Sequence, residues 1–186
     1  MNAGHGCERF DWARLNRPIV EDILTTALPM VTALDWTEDD PETLELDRTH
    51  GIDLIGRLKK HGQPLTFQIK CLSADNGYHT VTMEAENSFD GKPGDIQTCL
   101  SQFYFLCYSD GRCAERWCLL DLPRLHLASC TRGLMWRRAD NTLSGANSKF
   151  RYLPFAELAE LAPESVVMFG GDWQLGDAQV ESRRVK

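Results

Sequence analysis

The stretch GIDLIGRLKKHGQPLTFQIKCL, residues 51–72, is the most informative part of this sequence. It holds two short segments rich in Ile, Leu and Phe, separated by a turn that contains Gly and Pro. The second segment alternates between apolar and polar positions, with Gln68 and Lys70 on its polar face, and the first segment carries Asp53. An antiparallel pairing of the two strands would bring these three side chains together. Because burying an unpaired charge costs several kcal/mol, we expect them to bind each other or a ligand.

The segments on either side predict a sheet flanked by helices. Residues 10–28 follow the period of an amphipathic helix, with Pro18 at a first helical position and a short helix around residues 11–15 before it. Residues 35–43 look like an acidic loop or a short irregular strand. Further along, the sequence predicts the strand HTVTMEA, a brief helix within GKPGDIQTCLSQ, the hairpin FYFLCYSDGRCAERWCLLDL, the helix LPFAELAELA and the strand VVMF. This order indicates an α/β or α+β sandwich in a single domain over residues 1–186, with an acidic N-terminal quarter and a short frayed C-terminal tail.

The seven cysteines are expected to be reduced thiols, since the chain begins without an apolar leader and contains no CxxC pair. A two-residue turn at Asp110-Gly111 would pair Cys107 with Ala114, which places Cys107 and Cys113 on opposite faces of the hairpin. No zinc site is therefore expected. No run of residues approaches the roughly 18 apolar positions of a membrane span, so we expect a cytoplasmic protein that makes no membrane contact.

The formal net charge of −7 is unevenly distributed along the chain. Residues 1–47 hold 11 acidic and 3 basic side chains, whereas the remaining 139 residues hold 16 acidic and 17 basic ones. The acidic surplus therefore lies in the first quarter, and the rest of the chain can carry a local basic face. Charge alone neither requires nor excludes DNA as a partner.

The pattern of G-I-D, fourteen further residues and then Q-I-K resembles the PD-(D/E)xK nuclease superfamily. The likeness is greatest to its Mrr-type branch, in which glutamine replaces the second acid to give Q-x-K, and it runs from about Glu45 to about Leu122. The resemblance implies a restriction-endonuclease-like sandwich of the α/β class, with a mixed central sheet flanked by helices. The neutral Gln68 and the absence of a proline before Asp53 are departures from the common form of the motif.

The resemblance also implies a role for each residue of the motif. Asp53 would bind Mg²⁺, for which Mn²⁺ could substitute, the backbone carbonyl of Ile69 would add a metal ligand, and Lys70 would serve the attacking water. Gln68 would position the metal or the water. A glutamate on a preceding helix often completes such a site as a catalytic and metal-binding residue. Glu21, at the edge of the apolar stripe of its helix, is the candidate here, and Glu84 is the alternative acid.

Two basic regions are candidates for contact with nucleic acid. Arg57, Lys59 and Lys60 surround the turn beside the motif, and Arg137 and Arg138 open the aromatic-rich stretch MWRRADNTLSGANSKFRY. Basic residues mixed with aromatics suit phosphate contact and base stacking. They suit a plain surface hairpin equally well.

The resemblance implies a Mg²⁺-dependent deoxyribonuclease, an endonuclease that hydrolyses DNA phosphodiester bonds in restriction, repair or mobile-element metabolism. Cutting both strands calls for two active sites, which favours a homodimer. The alternative is a catalytically inactive protein on the nuclease fold that binds nucleic acid or a protein partner. The neutral Gln68 and the acidic total favour this alternative, whereas Asp53 and Lys70 oppose it. Without a functional role, Asp53 would pair with Arg57 or Lys70.

Overall fold

The computed structural model describes residues 4–59, 62–86, 93–141 and 148–175. The helices are α1 (Gly4–Ala27), α2 (Leu44–His50), α3 (Asp95–Thr98), α4 (Leu122–Thr131) and α5 (Phe155–Leu161). The strands are β1 (Val31–Trp36), β2 (Leu54–Leu58), β3 (Leu65–Ser73), β4 (Thr80–Glu86), β5 (Phe103–Ser109), β6 (Ala114–Asp121), β7 (Arg137–Asn141), β8 (Ser148–Pro154) and β9 (Val166–Gly171). Short 3₁₀ helices cover Thr37–Asp39, Ala74–Asn76 and Pro163–Ser165.

Six strands form a mixed sheet in the order β1-β2-β3-β5-β6-β9. β3 and β5 run parallel, and every other neighbouring pair in this sheet is antiparallel. Parallel neighbours need a long crossover connection, which here contains β4 and α3. The α/β class and the mixed central sheet predicted from the sequence are confirmed.

A second sheet has the strand order β4-β8-β7. Two tyrosines of the main sheet form hydrogen bonds to it. Tyr104 Oη donates to the carbonyl of Thr82 at 2.7 Å, and Tyr108 Oη donates to the carbonyl of Thr80 at 2.8 Å. Both carbonyls belong to β4, which is an edge strand of this small sheet. The phenols of β5 therefore supply donors that a further strand would otherwise supply.

Two buried clusters lie on opposite faces of the main sheet, because successive side chains of a strand alternate in direction. The cluster under α1 comprises Val20, Leu24, Ala27, Leu28, Val31, Leu54, Phe67, Phe105, Cys107, Trp117 and Leu119. The other cluster joins the main sheet to the small sheet, α4 and α5, and its largest members include Tyr104, Tyr108, Met83, Phe155, Phe169 and Trp173. Helices therefore flank the sheet on both sides, as predicted. Phe105 and Trp117 of the β5–β6 hairpin are buried in the cluster under α1, and Phe103 packs against this cluster.

Helix α1 confirms the helix predicted over residues 10–28 but differs from it at Pro18. The helix begins at Gly4 and runs through Pro18, so the predicted break into two helices is wrong. A proline inside a helix removes one hydrogen bond and costs about 3 kcal/mol. Val20 and Leu24, which follow it, are fully buried against the sheet, and their packing favours a single continuous helix.

The β5–β6 hairpin confirms the predicted strand pair, but its register differs from the predicted one. Cys107 pairs with Trp117 and not with Ala114. Asp110 Oδ1 accepts from the backbone N–H groups of Arg112 and Cys113 at 2.8 and 2.9 Å. These bonds stabilise a turn longer than two residues, which shifts the register of the whole hairpin.

The cysteines and the helices carry two further findings. Free thiols are present at Cys71, Cys99, Cys107, Cys113, Cys118 and Cys130. Among the residues that the structure describes, none of the helices combines the length and the apolar character that crossing a membrane requires.

Candidate functional site

Asp53 lies in a short connection that brings it opposite Gln68. Helix α2 ends at Gly51, whose φ of +58° is in the left-handed region, and the chain turns there toward β2. Leu54, the first residue of β2, pairs with Phe67 in an antiparallel register. Asp53 is thus the cross-strand neighbour of Gln68, and the two side chains share a face of the sheet. The predicted antiparallel pairing is confirmed.

Two N–H groups converge on one oxygen of the Asp53 carboxylate. Gln68 Nε2 donates to Asp53 Oδ2 at 2.8 Å, and the backbone N–H of Ile69 donates to the same oxygen at 2.6 Å. The structure therefore brings Asp53, Gln68 and Ile69 into one cluster with the carboxylate at its centre.

The backbone that carries Asp53 is held on two sides by buried hydroxyl groups. Thr37 Oγ1 donates to the carbonyl of Ile52 at 2.7 Å and to that of Asp53 at 3.0 Å. Ser101 Oγ donates to the carbonyl of Gly51 at 2.7 Å. Thr37 is 1% exposed and Ser101 is 4% exposed, so these bonds are shielded from water. The three consecutive carbonyls of residues 51–53 are thereby fixed, which orients the Asp53 side chain.

Gln68 is buried, and both ends of its amide have protein neighbours. Nε2 bonds to Asp53, and Oε1 lies 3.8 Å from the Cys99 Sγ that can donate to it. Oε1 also packs on Gly51 so closely that a Cβ there would lie only 2.7 Å from it. A neutral amide suits this position, because a second carboxylate in it would be desolvated beside Asp53.

Lys70 follows Gln68 by two residues on the same face of β3, as predicted. It is half-buried, and its Nζ lies 5.8 Å from the centroid of the Phe150 ring on β8. This is a cation–π distance. The adjacent Cys71 points to the α1 side, where its hydrogen bond with the Cys107 thiol, together with burial, raises the pKa of Cys71 well above its ordinary value. The Asp53 carboxylate raises that pKa further and the Lys70 ammonium lowers it.

Glu21 is bonded elsewhere, on the side of the sheet that α1 covers. Its Oε1 accepts from the indole Nε1 of Trp36 at 2.7 Å, and the guanidinium of Arg17 lies 4.7 Å from the Trp36 ring. The Asp53 carboxylate is bonded to Gln68 on the opposite face. The structure thus does not bring Glu21 into the Asp53 cluster. Within the described ranges, no group of three or more His, Cys, Asp or Glu side chains is arranged to hold a metal ion.

The basic residues of the first predicted nucleic-acid region lie beside a groove of about 860 Å³. Arg57 Nε donates to Asp35 Oδ2 at 2.5 Å, so the predicted alternative in which Arg57 pairs with Asp53 is wrong. Lys59 is exposed and lines the same groove. The prediction for Lys60 falls outside the described residues. Glu21 also lines this groove.

The second predicted region is an antiparallel hairpin formed by β7 and β8. Arg137 pairs with Tyr152, and Arg138 pairs with Arg151. Since neighbouring residues of a strand alternate, the two arginines lie on opposite faces of the small sheet. Arg137 donates to Glu157 at 3.3 Å. The described parts of the aromatic-rich stretch are thus two paired strands, and the register separates its two arginines.

Of the residues around Asp53, Thr37 and Ser101 have no signal in the sequence. Each acts through a hydroxyl bond to a backbone carbonyl, and such a bond requires no fixed spacing or motif. Asp53, Gln68 and Lys70 could be found because strand alternation and a short connecting turn determine their positions.

Comparison with known proteins identifies no relative of this chain. Neither protein-family models, nor curated proteins, nor solved structures give a match to the chain. Any assignment of function therefore depends on the geometry of the Asp53 cluster and on the motif that it contains.

The chemistry of the cluster decides whether Mg²⁺ suits it. Mg²⁺ binds through one or two carboxylates, together with carbonyl oxygens and waters. Asp53 supplies one carboxylate, and the main-chain carbonyl of Ile69 is of the second type. This donor set fits Mg²⁺ with a minimum of negative charge, since Gln68 is neutral and Glu21 is bonded to Trp36.

Proposed function

We propose that this chain is a metal-dependent DNA endonuclease with a restriction-endonuclease-like fold. One observation carries the proposal: Asp53 Oδ2 accepts from Gln68 Nε2 and from the Ile69 N–H across the β2–β3 pair. Lys70 follows on the same strand face. The mixed sheet with helices on both sides agrees with the fold that the G-I-D and Q-I-K motifs imply.

In this proposal each residue of the motif has a defined task. Asp53 and the Ile69 carbonyl would hold Mg²⁺ or Mn²⁺, which polarises a phosphoryl oxygen and lowers the pKa of bound water when present. Gln68 holds the Asp53 carboxylate in one orientation through its Nε2. The Lys70 ammonium orients the attacking water and offsets the negative charge that develops on the phosphoryl group. Glu84 stays a predicted additional acid, whereas Glu21 is bonded to Trp36 on the opposite face of the main sheet.

A cleavage assay tests the proposal. Supercoiled, linear and single-stranded DNA are incubated with Mg²⁺ or Mn²⁺ and with wild type, Asp53→Asn, Lys70→Met or Asp75→Asn. Asp75 is an exposed aspartate in the turn after β3 and serves as the matched control for Asp53. We expect cleavage by wild type and Asp75→Asn, and a loss of at least about a hundredfold in the other two, since each removes electrostatic stabilisation of the reaction. Cleavage that survives both Asp53→Asn and Lys70→Met contradicts the assignment of the site.

The burial of Gln68 favours a second candidate, a non-catalytic nucleic-acid-binding or protein-binding module on the same fold. Gln68 is only 8% exposed, and its amide is used inside the protein. Titration calorimetry with Mg²⁺ separates the two candidates. Heat of binding that is present in wild type and absent in Asp53→Asn supports the nuclease. No heat in wild type, together with binding in Gln68→Glu, indicates a nuclease fold that has lost its metal through this one glutamine.

A further inference from the structure

One face of the small sheet presents two aromatic rings next to Lys70. Directly paired residues of antiparallel strands share a face. One row across this face consists of Arg137, Tyr152 and Thr82, and the next consists of Ala139, Phe150 and Glu84. We call Phe150, Tyr152 and Arg137 the aromatic face.

The aromatic face is the less buried side of the small sheet. The opposite face of the same strands carries Val81, Met83 and Leu153, and each of these is fully buried. Phe150 and Tyr152 are half-buried, and Arg137 is exposed. The two rings are therefore held by the sheet and still reach the surface, which fixes their orientation at a low cost in conformational entropy.

The aromatic face meets the main sheet at Lys70, which follows Gln68 of the Asp53 cluster by two residues on β3. Lys70 Nζ lies 5.8 Å from the centroid of the Phe150 ring, so whatever stacks beside this ring lies close to the ammonium. At the other end of the face, Arg137 is paired with Glu157 at 3.3 Å, with the arginine side chain 55% exposed. An exposed ion pair of this kind contributes little free energy, so a phosphate can replace Glu157 as the partner of Arg137.

We propose that the aromatic face is a base-stacking platform that binds single-stranded DNA and leads it toward Lys70. The proposal rests on the proposed function and names its substrate class. Aromatic rings stack on unpaired bases of any sequence, whereas a blunt duplex keeps its base faces inside the helix. Arg137 and Lys70 bind phosphates on either side of the rings. The carboxylates of Glu84 and Glu157 also lie on this face. Because they repel phosphates, the DNA groups next to them are expected to be bases and not phosphates.

Fluorescence anisotropy with labelled DNA tests the platform. A 12-residue oligothymidylate and a blunt duplex of the same length are titrated into wild type, Phe150→Leu, Tyr152→Leu, Arg137→Ala and Arg138→Ala, all in EDTA. Arg138, the second arginine predicted to contact nucleic acid in this stretch, is the matched control, since it is exposed and lies on the opposite face, where the platform gives it no role. We expect wild type to prefer the single strand. Loss of either ring should weaken single-strand binding by about tenfold, because stacking on one ring contributes about 1–3 kcal/mol per base.

The salt dependence of binding supplies a readout that a change in folding would not produce. Removal of one phosphate contact lowers the slope of log K against log salt by about 0.7 for a single strand. We expect this change for Arg137→Ala and not for Arg138→Ala. Circular dichroism confirms that each variant keeps its fold.

Equal binding by wild type, Phe150→Leu and Tyr152→Leu overturns the platform, as does equal loss in Arg137→Ala and Arg138→Ala. Because binding is measured without metal, failure of cleavage does not affect the result. Platform variants that bind weakly while Asp53→Asn still binds, with no cleavage by any protein, support the platform and contradict the nuclease. Cleavage that depends on Asp53, with binding indifferent to both rings, supports the nuclease and contradicts the platform.

Discussion

Gly51 is the residue on which the geometry of the Asp53 cluster depends most directly. It ends α2 with a φ of +58°, and its missing Cβ leaves room for Gln68 Oε1, which would lie 2.7 Å from such an atom. A side chain at this position would both strain the backbone and push on the amide that bonds to Asp53. Among the residues near the candidate site, this glycine couples a helix end to a buried hydrogen bond.

The chain offers a glycine that separates these two effects. Gly77 has a φ of +60° with nothing within 4 Å of its would-be Cβ. We expect Gly77→Ala to lower the free energy of unfolding by about 1 kcal/mol, the cost of the left-handed conformation. Gly51→Ala should cost at least about 1 kcal/mol more, because Gln68 must move. Urea unfolding of both variants measures the difference, and equal losses would show that Gln68 adapts without cost.

The individual residues of the site also mark where sequence reasoning succeeds. Asp53, Gln68 and Lys70 were placed on one face because strand alternation is strict over β3, and the structure agrees. The helical period predicts that Glu21 lies at the edge of the apolar stripe of α1, but it gives no information on the other elements around it. Its partner, Trp36, lies on β1, a strand that the sequence did not clearly predict. A helical period cannot report which residue of another element a side chain meets.

At the scale of elements, the contact between the two sheets depends on a pair of phenols. Tyr104 and Tyr108 bond to the carbonyls of Thr82 and Thr80 on the edge of β4. We expect Tyr104→Phe and Tyr108→Phe each to lower the free energy of unfolding by about 1–2 kcal/mol, because a buried carbonyl loses its donor while the ring stays packed. Chemical denaturation measures the loss.

An exposed tyrosine provides the control for this prediction. Tyr78 is 59% exposed, so Tyr78→Phe should change the stability by less than about 0.5 kcal/mol. Hydrogen exchange gives a second test, since the amides of β4 should exchange faster in the two buried variants. If exchange in β4 is unchanged in both, the phenols do not tie the small sheet to the main one.

The two helices that the sequence does not predict, α4 and α2, lack a distinct apolar pattern for different physical reasons. Helix α4 follows β6 without any connecting residue, with Asp121 as both the last strand residue and the N-cap that accepts from the Arg124 N–H at 2.9 Å. The capping signal is present, but the apolar run of β6 continues into it. Helix α2 has no buried residue and hence no apolar period to detect. By contrast, α5 and β9 have clear patterns and lie where they were predicted.

At the scale of the whole molecule, the two buried clusters share the backbone of the main sheet. β5 directs Phe105 into the cluster under α1 and Leu106 into the cluster under the small sheet. Loss of either cluster therefore exposes a face of the same strand. Strands buried on both faces are cooperative structures, since neither layer can dissociate without placing apolar side chains in water.

One substitution in each cluster tests this cooperativity. Leu24 of α1 and Leu158 of α5 are fully buried on opposite faces of the sheet. Leu24→Ala and Leu158→Ala should each lower the free energy of unfolding by about 3 kcal/mol, through lost burial and the cavity left behind. Leu15 and Leu161 lie on the same helices with 54% and 39% of their surface exposed, so their alanine variants serve as controls and should lose less than about 1 kcal/mol.

The unfolding transition in urea shows whether the chain unfolds as one cooperative unit or as two. Trp117 belongs to the cluster under α1 and Trp173 to the other, so single-tryptophan versions of the chain report on each face separately. Because β5 is common to both clusters, we expect both fluorescence transitions and the far-ultraviolet circular dichroism to share one midpoint, and to move together in Leu24→Ala and in Leu158→Ala. A Leu24→Ala protein in which the Trp117 signal is lost at lower urea than the Trp173 signal would show that α1 and its cluster unfold first. The stability of the Asp53 cluster, which lies between α2 and β3, would then depend on only one of the two buried clusters.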